Sequence, residues 1–284
     1  MASAKVVAKK AQRATEKTAA NPLLELLERA GYVFRGVLYA VMGTLALGLA
    51  TGVGGTATDP SGSLVIITPG LAGKVLLAAV VVGLGAYAVW GFVRALFDPL
   101  NRGKKATGIA ERLGFAWSGL AYSGIVLFAL ELLAGHPKSP NQDALQTNIA
   151  HILGLPAGQL IVLAIGIIAL GVGLGQFVTV WRAPFKQDMK RSDMKKDEKK
   201  VVDTLGRLGM LSRGVTFSLI GWFLIQGGLH HDPSQVHGYG GAFVFLLGEP
   251  FGRVTLALVA LGFIALGLHS FACARWIRML GDSK

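Results

Sequence analysis

A short basic pattern that recurs three times constrains this chain more than any other feature. Arg29-Ala-Gly31-Tyr-Val-Phe-Arg35-Gly36-Val-Leu-Tyr39 is the first copy, Arg112-Leu-Gly114-Phe-Ala-Trp-Ser-Gly119-Leu-Ala-Tyr122 the second, and Arg207-Leu-Gly209-Met-Leu-Ser-Arg213-Gly214-Val-Thr-Phe217 the third. Each has Arg, then Gly two residues on, Gly seven on and an aromatic ten on. A fixed pattern in triplicate is the mark of a repeat architecture, in which one supersecondary unit is copied and stacked. Each copy leads into an apolar run, and each is followed by a second. The six runs, about Val33–Val53, Gly73–Val93, Phe115–Ala134, Gln159–Val180, Met210–Leu229 and Val254–Ala274, are each long enough for the ~20 helical residues that cross a ~30 Å hydrocarbon core. With 52% of the 284 residues hydrophobic and 15% charged, buried soluble helices are excluded. The segments between the runs are too short and too rich in Gly, Pro and charge to cover them.

Two spans per copy make a helical hairpin that leaves and returns on the same side, so the copies run parallel and their symmetry axis lies along the membrane normal. The expected fold is an all-α membrane protein, six transmembrane helices as three hairpins with pseudo-threefold symmetry. Residues 22–98 form repeat 1, 111–182 repeat 2 and 204–284 repeat 3. A basic tail (1–21), a linker (99–110) and a charged linker (183–203) complete the chain. Asn21-Pro22 supplies a cap and a first-turn proline, so the first helix starts there. The tail lacks an apolar stretch, which leaves the first span as its own insertion signal. Of the 28 Lys and Arg, only Lys74, Lys138 and Arg253 fall on the loop side of the spans. The positive-inside rule then puts both termini in the cytoplasm, the basic end against anionic headgroups. The Lys186–Lys200 run carries Asp188, Asp193, Asp197 and Glu198, so it reads as a solvated linker or short helix and not a nucleic-acid surface.

Within the motif, the Arg, the second Gly and the aromatic fall within about 80° of one helix face, while the first Gly lies on another. The helix is thus open to close approach on two sides, the usual device for packing helices in lipid. The second spans end alike, in Gly83-Leu84-Gly85-Ala86-Tyr87, Gly173-Leu174-Gly175-Gln176-Phe177 and Gly267-Leu268-His269-Ser270-Phe271. The outer loops share Asp59-Pro60-Ser61, Ser139-Pro140-Asn141 and Asp232-Pro233-Ser234 as turn signals.

The Arg-x-Gly opening, the start of the second helix near Gly252-Arg253 and its Gly-Leu-x-x-aromatic exit resemble the repeat of the bacterial membrane family called domain of unknown function 1206, over about residues 24–278. The resemblance implies the six-helix fold and a bacterial inner-membrane location. It brings no catalytic residues with it. Ser118, in place of the arginine found at Arg35 and Arg213, departs from the pattern.

The motif arginines read as headgroup-contacting cations, with Arg35 and Arg213 set deeper, where they suit a lipid phosphate or another anion. Glu131, Gln176, Gln226 and His269 are the polar candidates inside the spans; Glu131 reads as hydrated near the loop end, and His269 as a bond to a neighbouring helix before it reads as a metal or porphyrin ligand. His230, His231 and His237 form a loose cluster without the matched ligands of a metal site. Cys273 is the chain's one cysteine, so neither a disulfide nor a thiolate cluster is expected. No nucleophile elbow, P-loop or dinucleotide fingerprint is present, and no enzyme or cofactor is expected. The first functional reading is therefore a scaffold or accessory subunit packing against other membrane proteins. The alternatives are a small-solute channel or transporter between the hairpins, and haem or pigment binding through His269.

Overall fold

The computed structural model describes residues 22–67, 69–97, 106–135, 142–183, 185–186 and 189–277. The basic tail, most of the 99–110 linker and the Ser139-Pro140-Asn141 turn lie outside them. Among the described residues the fold is helical, with one isolated antiparallel bridge between Met189 and Ile277. The helices are α1 (Pro22–Thr51), α2 (Pro60–Ile67), α3 (Gly70–Phe97), α4 (Ala106–Leu133), α5 (Gln142–Leu153), α6 (Gly158–Arg182), α7 (Lys196–Leu229), α8 (Tyr239–Gly248) and α9 (Gly252–Trp276). Six of them, α1, α3, α4, α6, α7 and α9, are long and apolar enough to cross a membrane.

Three short helices stand where the loops were read as turns. Asp59 explains the first: its carboxylate accepts the Gly62 amide at 2.6 Å, and Pro60 follows it. An acidic N-cap before proline at the first helical position starts a helix as readily as a turn. Asp232 keeps to a turn, accepting the Ser234 amide at 2.9 Å.

The most extensive seams run between copies, α3 against α4, α6 against α7, and α9 against α1. Motif glycines make them. A Cβ on Gly36 would lie 2.6 Å from the Phe271 ring and 3.0 Å from the Gly267 carbonyl; on Gly119, 3.0 Å from the Ala88 carbonyl; on Gly214, 3.1 Å from the Phe177 ring. The second Gly of each motif therefore meets the closing helix of a different copy. The first Gly meets the other long helix of its own copy: a Cβ on Gly31 would meet Tyr87 at 2.6 Å, and on Gly209 would meet Leu266 at 2.7 Å. Copy two breaks the rule. A Cβ on Gly114 would meet nothing within 4 Å, and α4 makes no extensive contact with α6. Accordingly, 22% of the most apolar stretch of α4 and of α6 is buried, against 67% in α9, the central helix.

The charged linker is helical in part, with a 3₁₀ turn at Arg191–Asp193 and α7 starting at Lys196, and it is less solvated than expected. Met189 is 1% exposed and Met194 4%, and both join the core cluster that holds Tyr32, Tyr87, Val202 and Cys273. The Lys190 amide donates to the Trp276 carbonyl at 2.7 Å. Asp203 accepts from both Arg191 guanidinium nitrogens (2.7 and 3.2 Å) and from Lys186 at 3.0 Å. Two thioethers and three ionic groups thus strap this segment across the basic end of the bundle, with the charges outward and the methionines filling gaps beneath.

Candidate functional site

Two of the three motif arginines, Arg29 and Arg112, sit where a helix lead-in meets the end of another helix. Arg29 donates to the carbonyls of Ala274 and, at 2.9 Å, Arg275, and pairs with Glu25 at 2.7 Å. Arg112 donates to the Ala95 and Leu96 carbonyls at 2.8 and 3.0 Å. Both therefore satisfy carbonyls that the last turn of α9 or α3 leaves without an intrahelical partner, at the negative end of its dipole. Arg207 is exposed. Two of the three motif arginines, expected as headgroup contacts, are thus C-terminal caps between copies.

The deeper arginines enter the bundle. Arg35 donates to the Tyr87 hydroxyl at 2.7 Å and to Ser270 Oγ at 3.1 Å, and its guanidinium lies 4.8 Å from the Tyr32 ring centre. Around it runs a column that takes in all five tyrosines of the chain. Arg94, buried, reaches the Tyr32 hydroxyl at 3.3 Å; Tyr32 and Tyr122 each meet Tyr87 edge-on at 5.0 Å; and Tyr122 donates to the Tyr39 hydroxyl at 3.3 Å. Tyr39 and Tyr239 both pack on Phe263, with ring centres 5.9 Å apart in each pair.

Beside this column is a cavity of ≈ 1110 Å³, and all three outer loops contribute to its wall. Its lining includes the three motif aromatics, Tyr39, Tyr122 and Phe217, and two of the three residues that precede them by four, Ser118 and Arg213. Equivalent positions of the three copies thus converge on one space. Arg213 differs from Arg35 in its partners. Its guanidinium lies 5.4 Å from the Phe217 ring and is close enough to Tyr39, Tyr239 and Tyr122 to act on them electrostatically. Its Nε is buried, and among the described residues nothing hydrogen-bonds to it. No carboxylate of the described residues pairs with Arg35 or Arg213. Asp59 lines the loop end of the cavity, turned to Gly62; burial pushes its carboxyl above the usual range, and the bond from Gly62 opposes that only in part.

The other polar candidates lie elsewhere. His269 is 1% exposed, its Nδ1 is 3.1 Å from the Val202 carbonyl of α7, and Phe185 stands edge-on at 5.1 Å. Glu131, Gln176 and Gln226 are half-buried and outside the cavity wall. His230 contacts the Gln226 carbonyl at 3.0 Å, while His237 lines the cavity with its ring edge on Phe223 at 4.9 Å. Among the described residues no three His, Cys, Asp or Glu side chains gather as a metal would need. The sequence reading missed Trp117, Asp59 and Tyr239 as wall residues. Asp59 and Tyr239 are brought there by loops that fold back, and Trp117 lies on α4 beside Ser118, where no repeated position marks it.

Six apolar helices with polar groups turned to an interior space define a multi-pass helical membrane protein. The chain belongs to the family described as Domain of Unknown Function (DUF1206), which matches it three times, at residues 30–98, 113–183 and 208–276. It is also similar to "Uncharacterized protein YxxB" of Bacillus subtilis (strain 168), at 30% identity over 254 residues, 89% of this chain and 91% of that protein. No solved structure matches it.

Proposed function

We propose that this is a non-enzymatic membrane protein that binds a small anionic ligand in the chamber where its three copies meet. One observation carries the reading. Arg213 brings a guanidinium to the wall of a ≈ 1110 Å³ cavity with no acid beside it. A cation held in a low-dielectric interior is costly unless compensated, and intramembrane charges are functional sites more often than structural ones. The volume is at the upper end of the ~300–1,000 Å³ typical of small-molecule sites. On this reading the copies surround an approximate threefold axis along the membrane normal, with the basic end in the cytoplasm. A through-path is the weaker alternative, since the wall stops at Ser118 and Arg213 and the tyrosine column and strap fill the basic end. Haem binding through His269 has no support from a side chain already bonded to Val202 and remote from the cavity.

The test is thermal unfolding of the purified protein in neutral detergent with hexyl phosphate, hexanoate or hexanol. The two anions should raise the midpoint and hexanol should not. At a ligand concentration of 100 times Kd the gain is about 2.7 kcal/mol. Arg213→Gln should abolish the difference between anions and alcohol; an equal gain in that variant would overturn the reading. A scaffold role keeps one supporting observation: Gly114 and Gly124 on α4, and Gly171 and Gly175 on α6, face no atom of the described residues, as an interface awaiting another helix would.

A further inference from the structure

Copy two has come apart where the other copies are closed, and the gap bears on the chamber. The face of α4 turned away from α3 carries Trp117, Ser118, Ala121, Gly124 and Phe128, all on the cavity wall. Ala121 and Gly124 are also exposed, and α4 makes no extensive contact with α6, which leaves a side of the chamber that no helix is packed against. No residue of α6 lines it. The rim at this level is apolar, with Leu113, Leu120 and Leu127 exposed on α4 and Ile167, Leu174 and Val178 on α6. In repeat 1 the corresponding space is occupied by Tyr87 against Gly31, and in repeat 3 by Leu266 against Gly209.

Depth decides what can use such an opening. Helix α7 rises 1.5 Å per residue, so about 24 Å separates Arg213 from Leu229 at the loop end. In a hydrocarbon layer of ~30 Å, that leaves the guanidinium about 6 Å inside the boundary at the basic end. A lipid of that leaflet has its headgroup near this level and its chains pointing towards the aromatic upper wall formed by Phe128, Phe217, Phe223 and Phe245. Acid at the foot and hydrocarbon above match a cationic foot and an aromatic shaft.

We infer that the opening between α4 and α6 is a lateral portal through which an anionic lipid of the leaflet at the basic end sets its headgroup on Arg213 and a chain in the chamber. This rests on the anion-binding reading above and adds the ligand class and route. A net negative headgroup suits the site because no carboxylate of the described residues pairs with Arg213 or with Arg35. A zwitterionic lipid would bring a third positive charge to the site. The guanidinium fork suits phosphate or carboxylate oxygens and forms charge-assisted bonds with them.

Trp117 on the wall provides a reporter. The full chain is reconstituted in phosphatidylcholine vesicles with a minor fraction of brominated phosphatidylglycerol or, for comparison, brominated phosphatidylcholine, and the Trp117 component of fluorescence is taken as the difference from Trp117→Phe. The anionic lipid should quench this component preferentially. Arg213→Gln should weaken that preference about tenfold, the worth of one charge-assisted hydrogen bond. Ala121→Trp should block it, whereas Leu120→Trp, equally bulky but turned to the lipid, should not. If Ala121→Trp leaves the preference intact while Arg213→Gln removes it, the portal is wrong and the ligand enters from the loops. If neither lipid is preferred although hexyl phosphate still stabilises the wild type through Arg213, the lipid assignment falls and the anion site stands. Loss of an oligomer or bound protein on Ala121→Trp, without lipid preference, would assign the gap to a protein partner.

Discussion

Gly31, Gly209 and Gly114 occupy one motif position, yet alanine there should act with opposite signs. At Gly31 the added Cβ would lie 2.6 Å from Tyr87 Cβ and 2.8 Å from the Gly83 carbonyl; at Gly209 it would lie 2.7 Å from Leu266 Cβ and 2.9 Å from Leu266 Cα. These atoms are backbone or attached directly to it, so relief requires the helices to separate. Overpacking of this kind costs about 1–3 kcal/mol, and such short contacts place both sites near the top of that range. Alanine recovers up to about 1 kcal/mol of helix propensity, leaving a net loss of about 2 kcal/mol. At Gly114 no atom lies within 4 Å, so only the propensity gain remains, at most about 1 kcal/mol. Unfolding of the purified protein by increasing mole fraction of dodecyl sulfate, followed by tryptophan fluorescence, measures all three. Gly31→Ala and Gly209→Ala should unfold earlier than wild type, and Gly114→Ala no earlier. If Gly114→Ala loses as much as the others, α4 and α6 are closed in the membrane and the lateral portal is refuted with them.

Arg112→Ala should lower the same midpoint by about 1 kcal/mol, because the Ala95 and Leu96 carbonyls lose a cationic cap at a helix C-terminus, and Arg112→Lys should restore part of it. Asp203→Ala should release the strap at the basic end, seen as several-fold faster tryptic cleavage between Lys186 and Lys200; half-buried surface pairs of this type are worth up to about 1 kcal/mol each, enough for that change. Asp59 gives a pH dependence. Its carboxyl is raised above the ordinary value of 3.8, so the fold holds this proton more tightly than the unfolded chain does. That contribution is complete below the ordinary value and is lost as pH rises through the raised one. Asp59→Asn, which keeps the cap without the charge, should therefore be at least as stable as wild type at neutral pH and lose that advantage in acid. An advantage that grows in acid would reverse the assignment.

Periodicity and run length made the six spans legible, because lipid permits few alternatives to a long apolar helix. The spacing of Arg29, Gly31, Gly36 and Tyr39 also marked two close-packing faces, and both are used. Its partners were not legible. Nothing in the sequence says that Gly36 meets Phe271 of the third copy while Gly31 meets Tyr87 of its own, since that depends on how the chain closes on itself. The burial of the strap was not legible for a similar reason. Met189 and Met194 lie among so many charges that composition hides them, and their burial depends on the end of α9 being beside them. Of the chamber, the motif aromatics and Arg213 were visible as repeated positions. The empty side of copy two was not, because Gly114 has the same letter as Gly31 and differs only in what fails to reach it.

The seams between copies carry a genetic consequence. Because α9 returns to α1 as α3 goes to α4 and α6 to α7, the junction between one copy and the next is better cemented than the hinge within a copy. A chain cut after the first or second copy would expose two glycine-grooved faces with no occupant, and should be cleared by proteases. One re-ended at residues 99–105, with its old termini joined, would lose no seam and should still assemble.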